Sequence, residues 1–106
     1  MKKYHVTINP SVYKKLDEIF SYIALESPKI AVDLLDGIEE RVMSLESMPE
    51  RFATIPENIT HKPRRLHHCF YKKFRIIYAI RDNEVRILDI RHGAQNFLSA
   101  NDDFEW

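Results

Sequence analysis

The sequence predicts an α+β domain with the order β-α-α-β-β-β, an antiparallel sheet carrying a helical hairpin on one face. Three patterns predict it. Two amphipathic helical stripes follow each other with two or three residues between them. Three strand-like runs come next, joined by two-residue turns. One short alternating run precedes both. With 106 residues, 44% hydrophobic and 30% charged, the chain reads as a single domain over 1–106, with 93–106 as an acidic tail. Two glycines and five prolines exclude collagen-like and low-complexity classes.

The first strand is read over 3–9, where β-formers alternate. Asn9-Pro10 then predicts a helix start, since Asn can accept free N–H groups and Pro is pre-set for the first turn. Val12, Leu16, Ile19, Phe20 and Ile23 form one stripe to about Glu26. Ser27-Pro28 repeats the start signal. Ala31, Leu34, Leu35, Ile38, Val42 and Leu45 form the second stripe, which stops near Met48 because Pro49 disfavours helix in the residue before it. So short a link predicts an antiparallel hairpin. Gly37 weakens the second helix by roughly 1 kcal/mol relative to alanine, or marks a close approach. Tyr13 and Tyr22 are read as packing residues.

Residues 49–63 hold three prolines and read as a loop. The meander follows: 64–71, 74–81 and 84–92, with Lys72-Lys73 and Asp82-Asn83 as turns. Parity puts Phe74, Ile76, Tyr78 and Ile80 on one face of the middle strand, and we assign Leu88 and Ile90 to the same helix-covered side. Arg75, Arg81, Asp89 and Arg91 then lie on the uncovered face, where Asp89 is a neighbouring-strand partner for Arg75. The same parity separates His92 from Arg75.

Net charge is zero but unevenly spread. Residues 61–92 carry nine Lys/Arg and three Asp/Glu, whereas 93–106 carry three acids and no Lys/Arg. A basic block suggests an anionic partner, nucleic acid or an acidic protein segment; it also serves simply to keep strand edges soluble. No apolar run reaches the roughly 20 residues of a membrane helix, so no membrane partner is expected. Met1-Lys2-Lys3 without an apolar run behind it argues against a secretory signal. The lone Cys69 fits a reducing cytoplasm. Metal is not expected, since the adjacent His67, His68 and Cys69 alternate between strand faces.

Leu16-Asp17-Glu18-Ile19 with Tyr22-Ile23, then Ser27-Pro28 and Ala31, Leu45 before Pro49, Arg65-Leu66, Phe74-Arg75-Ile76-Ile77-Tyr78 and Ile87-Leu88-Asp89-Ile90-Arg91-His92-Gly93 stand in fixed order. Together they resemble the RelE/ParE superfamily of type II toxin–antitoxin toxins over about residues 3–97. The resemblance implies a cytoplasmic growth inhibitor, without cofactor, held inactive in a hetero-oligomer by a cognate antitoxin. It implies one of two targets. ParE-like members inhibit DNA gyrase without catalytic residues. RelE-like members are mRNA endoribonucleases that act on the ribosome.

For a ribonuclease, a base must take the 2′-hydroxyl proton, cations must stabilise the phosphorane, and an acid must protonate the leaving oxygen. The resemblance places Arg75 at the phosphate-stabilising position, with His92 or His68 as its catalytic partner. It departs at Gln95, which carries no charge, and at Leu66 and His68, where lysines are expected. The Ser-Pro-x-x-Ala connection and the proline after the second helix favour the ParE-like branch, and with it a chain that is not an enzyme. Arg64, Arg65, Arg75, Arg81 and Arg91 are the candidate basic face for a target or a phosphate. A degenerate member that only binds antitoxin is the remaining alternative.

Overall fold

A computed structural model describes residues 2–57 and 65–93. The element order is β1 (His5–Ile8), α1 (Pro10–Ala24), α2 (Pro28–Met43), two 3-10 turns (Ser44–Glu46 and Pro49–Arg51), β2 (Leu66–Tyr71), β3 (Phe74–Arg81) and β4 (Glu84–His92). The expected α+β order holds. The strand order is β1-β4-β3-β2. The β2-β3-β4 meander is antiparallel, as expected. β1 pairs with β4 in parallel, His5 against Glu84 and Ile8 against Ile87, which makes the sheet mixed rather than wholly antiparallel. The connection between them contains the whole helical hairpin, as parallel pairing requires a long crossover.

Ser27 caps α2 as expected, its Oγ accepting from the Ile30 N–H at 3.2 Å. Asn9 stands at the α1 N-cap but makes no side-chain cap. Its Oδ1 instead accepts from Arg86 Nη1 at 3.4 Å. The α-helical part of the second helix ends at Met43, and a 3-10 turn carries the chain to Glu46. Both hairpin turns use a left-handed residue, Lys72 at φ 52° and Asp82 at φ 54°.

The main core lies between the hairpin and one sheet face. Val12, Leu34, Ile38, Val42 and Leu45 meet Cys69, Phe74, Ile76, Tyr78, Val85, Ile87 and Ile90. Phe74, Ile76 and Tyr78 are placed as parity predicts, with half-buried Ile80 packed against them. Leu88 is not. The register slips between Ile77–Asp89 and Tyr78–Ile87, so Leu88 is the extra residue of a β-bulge. Val85 and Ile87 therefore take the helical side, and Leu88 joins Leu66, Ile77 and Ala79 in a second cluster on the other face. Gly37 does mark a close approach: a Cβ there would overlap the Tyr71 ring of β2. Tyr13 and Tyr22, read as packing residues, are 56% and 78% exposed.

Candidate functional site

The face opposite the helices was expected to be bare. It is partly roofed. Residues 52–57 leave the second 3-10 turn and fold along the outer edge of β2. The Ile55 N–H donates to the Leu66 carbonyl at 2.9 Å, and the His68 N–H to the Ala53 carbonyl at 3.1 Å. Thr54 makes an isolated bridge to His67. Ile55 packs on the Leu66–Ile77–Ala79–Leu88 cluster. We call this segment the strap.

The strap delivers Glu57 to Arg75. Nη1 donates to one carboxylate oxygen at 2.6 Å and Nη2 to the other at 2.7 Å. The Arg75 side chain is 6% exposed and Glu57 10%. The third edge of the guanidinium is also engaged: Nε donates to His68 Nδ1 at 2.8 Å. His68 reaches this face because it alternates with Cys69, which enters the helical core. Burial, with the nearby Arg75 charge, holds the His68 imidazole below its ordinary value. A neutral ring with Nδ1 as acceptor follows, and its proton sits on Nε2.

Arg75 was expected to pair with Asp89, and this is corrected. Asp89 is buried and serves other cations. Arg91 Nε donates to its Oδ2 at 2.7 Å, and Lys15 of α1 reaches Oδ1. The Ile90 N–H also donates to Oδ1, at 2.8 Å. Asp89 keeps the face that alternation assigns it, and the bulge brings Leu88 to the same side. Arg75 and Arg91 are Cα partners across β3 and β4. Like charges placed so close repel, and a carboxylate on each offsets that cost.

The structure thus brings Arg75 and His68 together and leaves His92 apart. His92 sits on the helical side, its ring 5.2 Å from that of Phe74. Arg65 is exposed just before β2, and Arg81 is exposed at the far end of β3. Arg64 and the tail from 94 onward lie outside the described residues. Among the described residues no three His, Cys, Asp or Glu side chains are grouped to hold a metal. Glu57 was missed in the sequence because it sits in a proline-rich loop. A signal existed: it is the lone carboxylate between Glu50 and Asp82, and an arginine flanked by apolar strand residues needs an anion.

On the other side, a groove runs beside β1, an outer strand of the sheet. Val6, Ile8, Leu16 and Leu35 line its apolar part, with Tyr13, Met43, Asp17 and Glu39 among its walls. Among the described residues, no helix is long and apolar enough to cross a membrane.

A model of the ParE toxin of the type II toxin–antitoxin system parDE matches residues 6–97. No curated protein matches the chain. Similar folds occur among solved structures. The chromosomal ParDE toxin–antitoxin system from P. aeruginosa aligns with TM-score 0.71 at 19% identity, covering 88% of this chain and 99% of that one. The RelBE2 toxin–antitoxin complex from Mycobacterium tuberculosis aligns with TM-score 0.63 at 20% identity, covering 89% and 95%. The archaeal RelE–RelB complex from Pyrococcus horikoshii OT3 aligns with TM-score 0.61 at 24% identity, covering 91% and 100%. With the family model spanning most of the chain and two helices lying on a four-stranded mixed sheet, this protein belongs to the ParE toxin family of type II toxin–antitoxin systems.

Proposed function

We propose that the chain inhibits DNA gyrase by binding, without chemistry of its own, and that a cognate antitoxin neutralises it. One observation carries the gyrase reading over the nuclease one. Both terminal nitrogens of Arg75 are engaged by Glu57, both side chains are largely buried, and His92 lies on the opposite face of the sheet. With Glu57 in place, an arginine so engaged offers no free fork to a scissile phosphate. The family match to a ParE toxin supports the same branch. The groove beside β1 supports the antitoxin: an outer strand offers backbone groups to an extended segment, and the apolar lining offers pockets for its side chains.

A second reading has one observation in its favour. His68 is a neutral imidazole 2.8 Å from Arg75, a pairing that suits proton transfer in a ribosome-dependent mRNA endoribonuclease. The test is induction without antitoxin, followed by a gyrase supercoiling assay and mapping of messenger ends. Inhibited supercoiling with intact messages is the expected result. Cleavage at ribosomal A-site codons would replace the first reading with the second. Normal growth would remove both and leave a degenerate antitoxin-binding member.

A further inference from the structure

The strap face presents one row across the sheet: Phe70 is the Cα partner of Arg75, and Arg75 of Arg91. Phe70 is half exposed, whereas Arg75 is buried under the strap. The guanidinium is aimed rather than merely neutralised. His68 takes Nε, so the plane is set and Nη1 and Nη2 point together at a single position. That two-pronged position accepts any oxyanion with two suitably spaced oxygens, phosphate as well as carboxylate. Glu57 fills it. Among the described residues, Phe52 packs against the main core at the near end of the strap. Two backbone hydrogen bonds, the Ile55 side chain and a 3.0 Å contact between His67 Nδ1 and the Phe52 carbonyl attach the strap to the sheet before Glu57 reaches Arg75.

A buried ion pair is a weak device for stability, because desolvating both charges offsets most of their attraction. It is a better device for making one arrangement exclusive. Ile55 supplies an apolar anchor, and Glu57 adds the polar contact that fixes the strap over Arg75.

We propose that the strap is an autoinhibitory contact in which the Glu57 carboxylate is the built-in occupant of the Arg75 fork, so that an external oxyanion enters only when the strap lifts. This holds whichever target the toxin acts on. Displacement exchanges one anion for another on the same two N–H groups, and His68 stays in place to orient them.

The probe is inorganic phosphate, with chloride at matched ionic strength as the reference. Thermal midpoints are measured for the wild type, Glu57→Ala, Glu57→Gln and the double variant Glu57→Ala, Arg75→Gln. Phosphate at about ten times its dissociation constant should raise the midpoint of Glu57→Ala by roughly 5 °C beyond the wild-type response. The double variant should respond like the wild type. An equal response in wild type and Glu57→Ala, or none in either beyond chloride, overturns the proposal. Should Glu57→Ala fail to fold, amide exchange on Glu57→Gln decides. The Ile55 and His68 amides should exchange at least about tenfold faster while helical amides keep their rates. Unchanged strap exchange there would equally overturn it.

Discussion

Replacing Tyr78 by phenylalanine tests how the strap is anchored. Tyr78 is fully buried, and its hydroxyl donates to the Pro49 carbonyl at 2.6 Å. Its ring stacks on His67 with centroids 5.4 Å apart, a contact that phenylalanine keeps. The substitution therefore removes one hydroxyl and leaves one carbonyl facing apolar surroundings. Leaving a buried acceptor unsatisfied costs about 1–3 kcal/mol. The unfolding entropy of a chain this long is about 0.22 kcal/mol/K, so the midpoint should fall by about 5–13 °C. Pro49 begins the turn that leads into the strap, and the Arg51 N–H donates to Met48 within that turn. Arg51 amide exchange should therefore accelerate more than exchange in α1. Thermal and urea unfolding with an unchanged m-value check the energy. A midpoint within about 2 °C of wild type would mean that the hydroxyl contributes less than ~0.5 kcal/mol, and the anchoring account would be wrong.

Further predictions concern charge, packing and reactivity. The folded state holds His68 below its ordinary value, so between that lowered value and about 6.5 the unfolded chain binds more protons. Stability from this group is complete above about pH 6.5 and declines on acidification; His68→Gln should flatten that part of a pH–stability profile, and an unchanged slope would count against it. Gly37→Ala should lower stability by about 1 kcal/mol, because displacing the Tyr71 ring outweighs the gain in helix propensity. In a Tyr71→Ala background the same change should stabilise by up to about 1 kcal/mol, and a double-mutant cycle showing one sign in both backgrounds would refute the overlap. Burial pushes the Cys69 thiol up to about 11, so iodoacetamide at pH 8 should label it only as fast as the fold opens. Labelling at the rate of a free thiol would contradict its burial.

Local signals carried most of the fold. Ser27-Pro28 caps α2, Lys72 and Asp82 turn the two hairpins, and strict alternation puts Phe74, Ile76 and Tyr78 under the helices. These features depend on residues a few positions apart. The misplacement of Leu88 has a specific origin: the bulge inserts one residue into β4, and alternation has no marker for an insertion. The parallel pairing of β1 was equally hidden, since an isolated four-residue strand does not announce which neighbour it joins. At the candidate site, the separation of Arg75 from His92 follows from parity and was legible. The Arg75 clamp was not, because Glu57 approaches through space from a loop with no periodicity. Asn9 shows a competing interaction prevailing: its amide oxygen has a cap open to it and accepts from Arg86 instead.

The partnership of β1 with β4 ties the first strand to the last strand of the meander. During synthesis, His5 waits for Glu84, so the nascent hairpin has no complete sheet to rest on until translation is nearly finished. A message cut short before that point yields a polypeptide whose apolar stripes have no finished sheet to cover them. The last strand of the meander is thereby the piece that closes the sheet against β1 and completes the platform on which the helices lie.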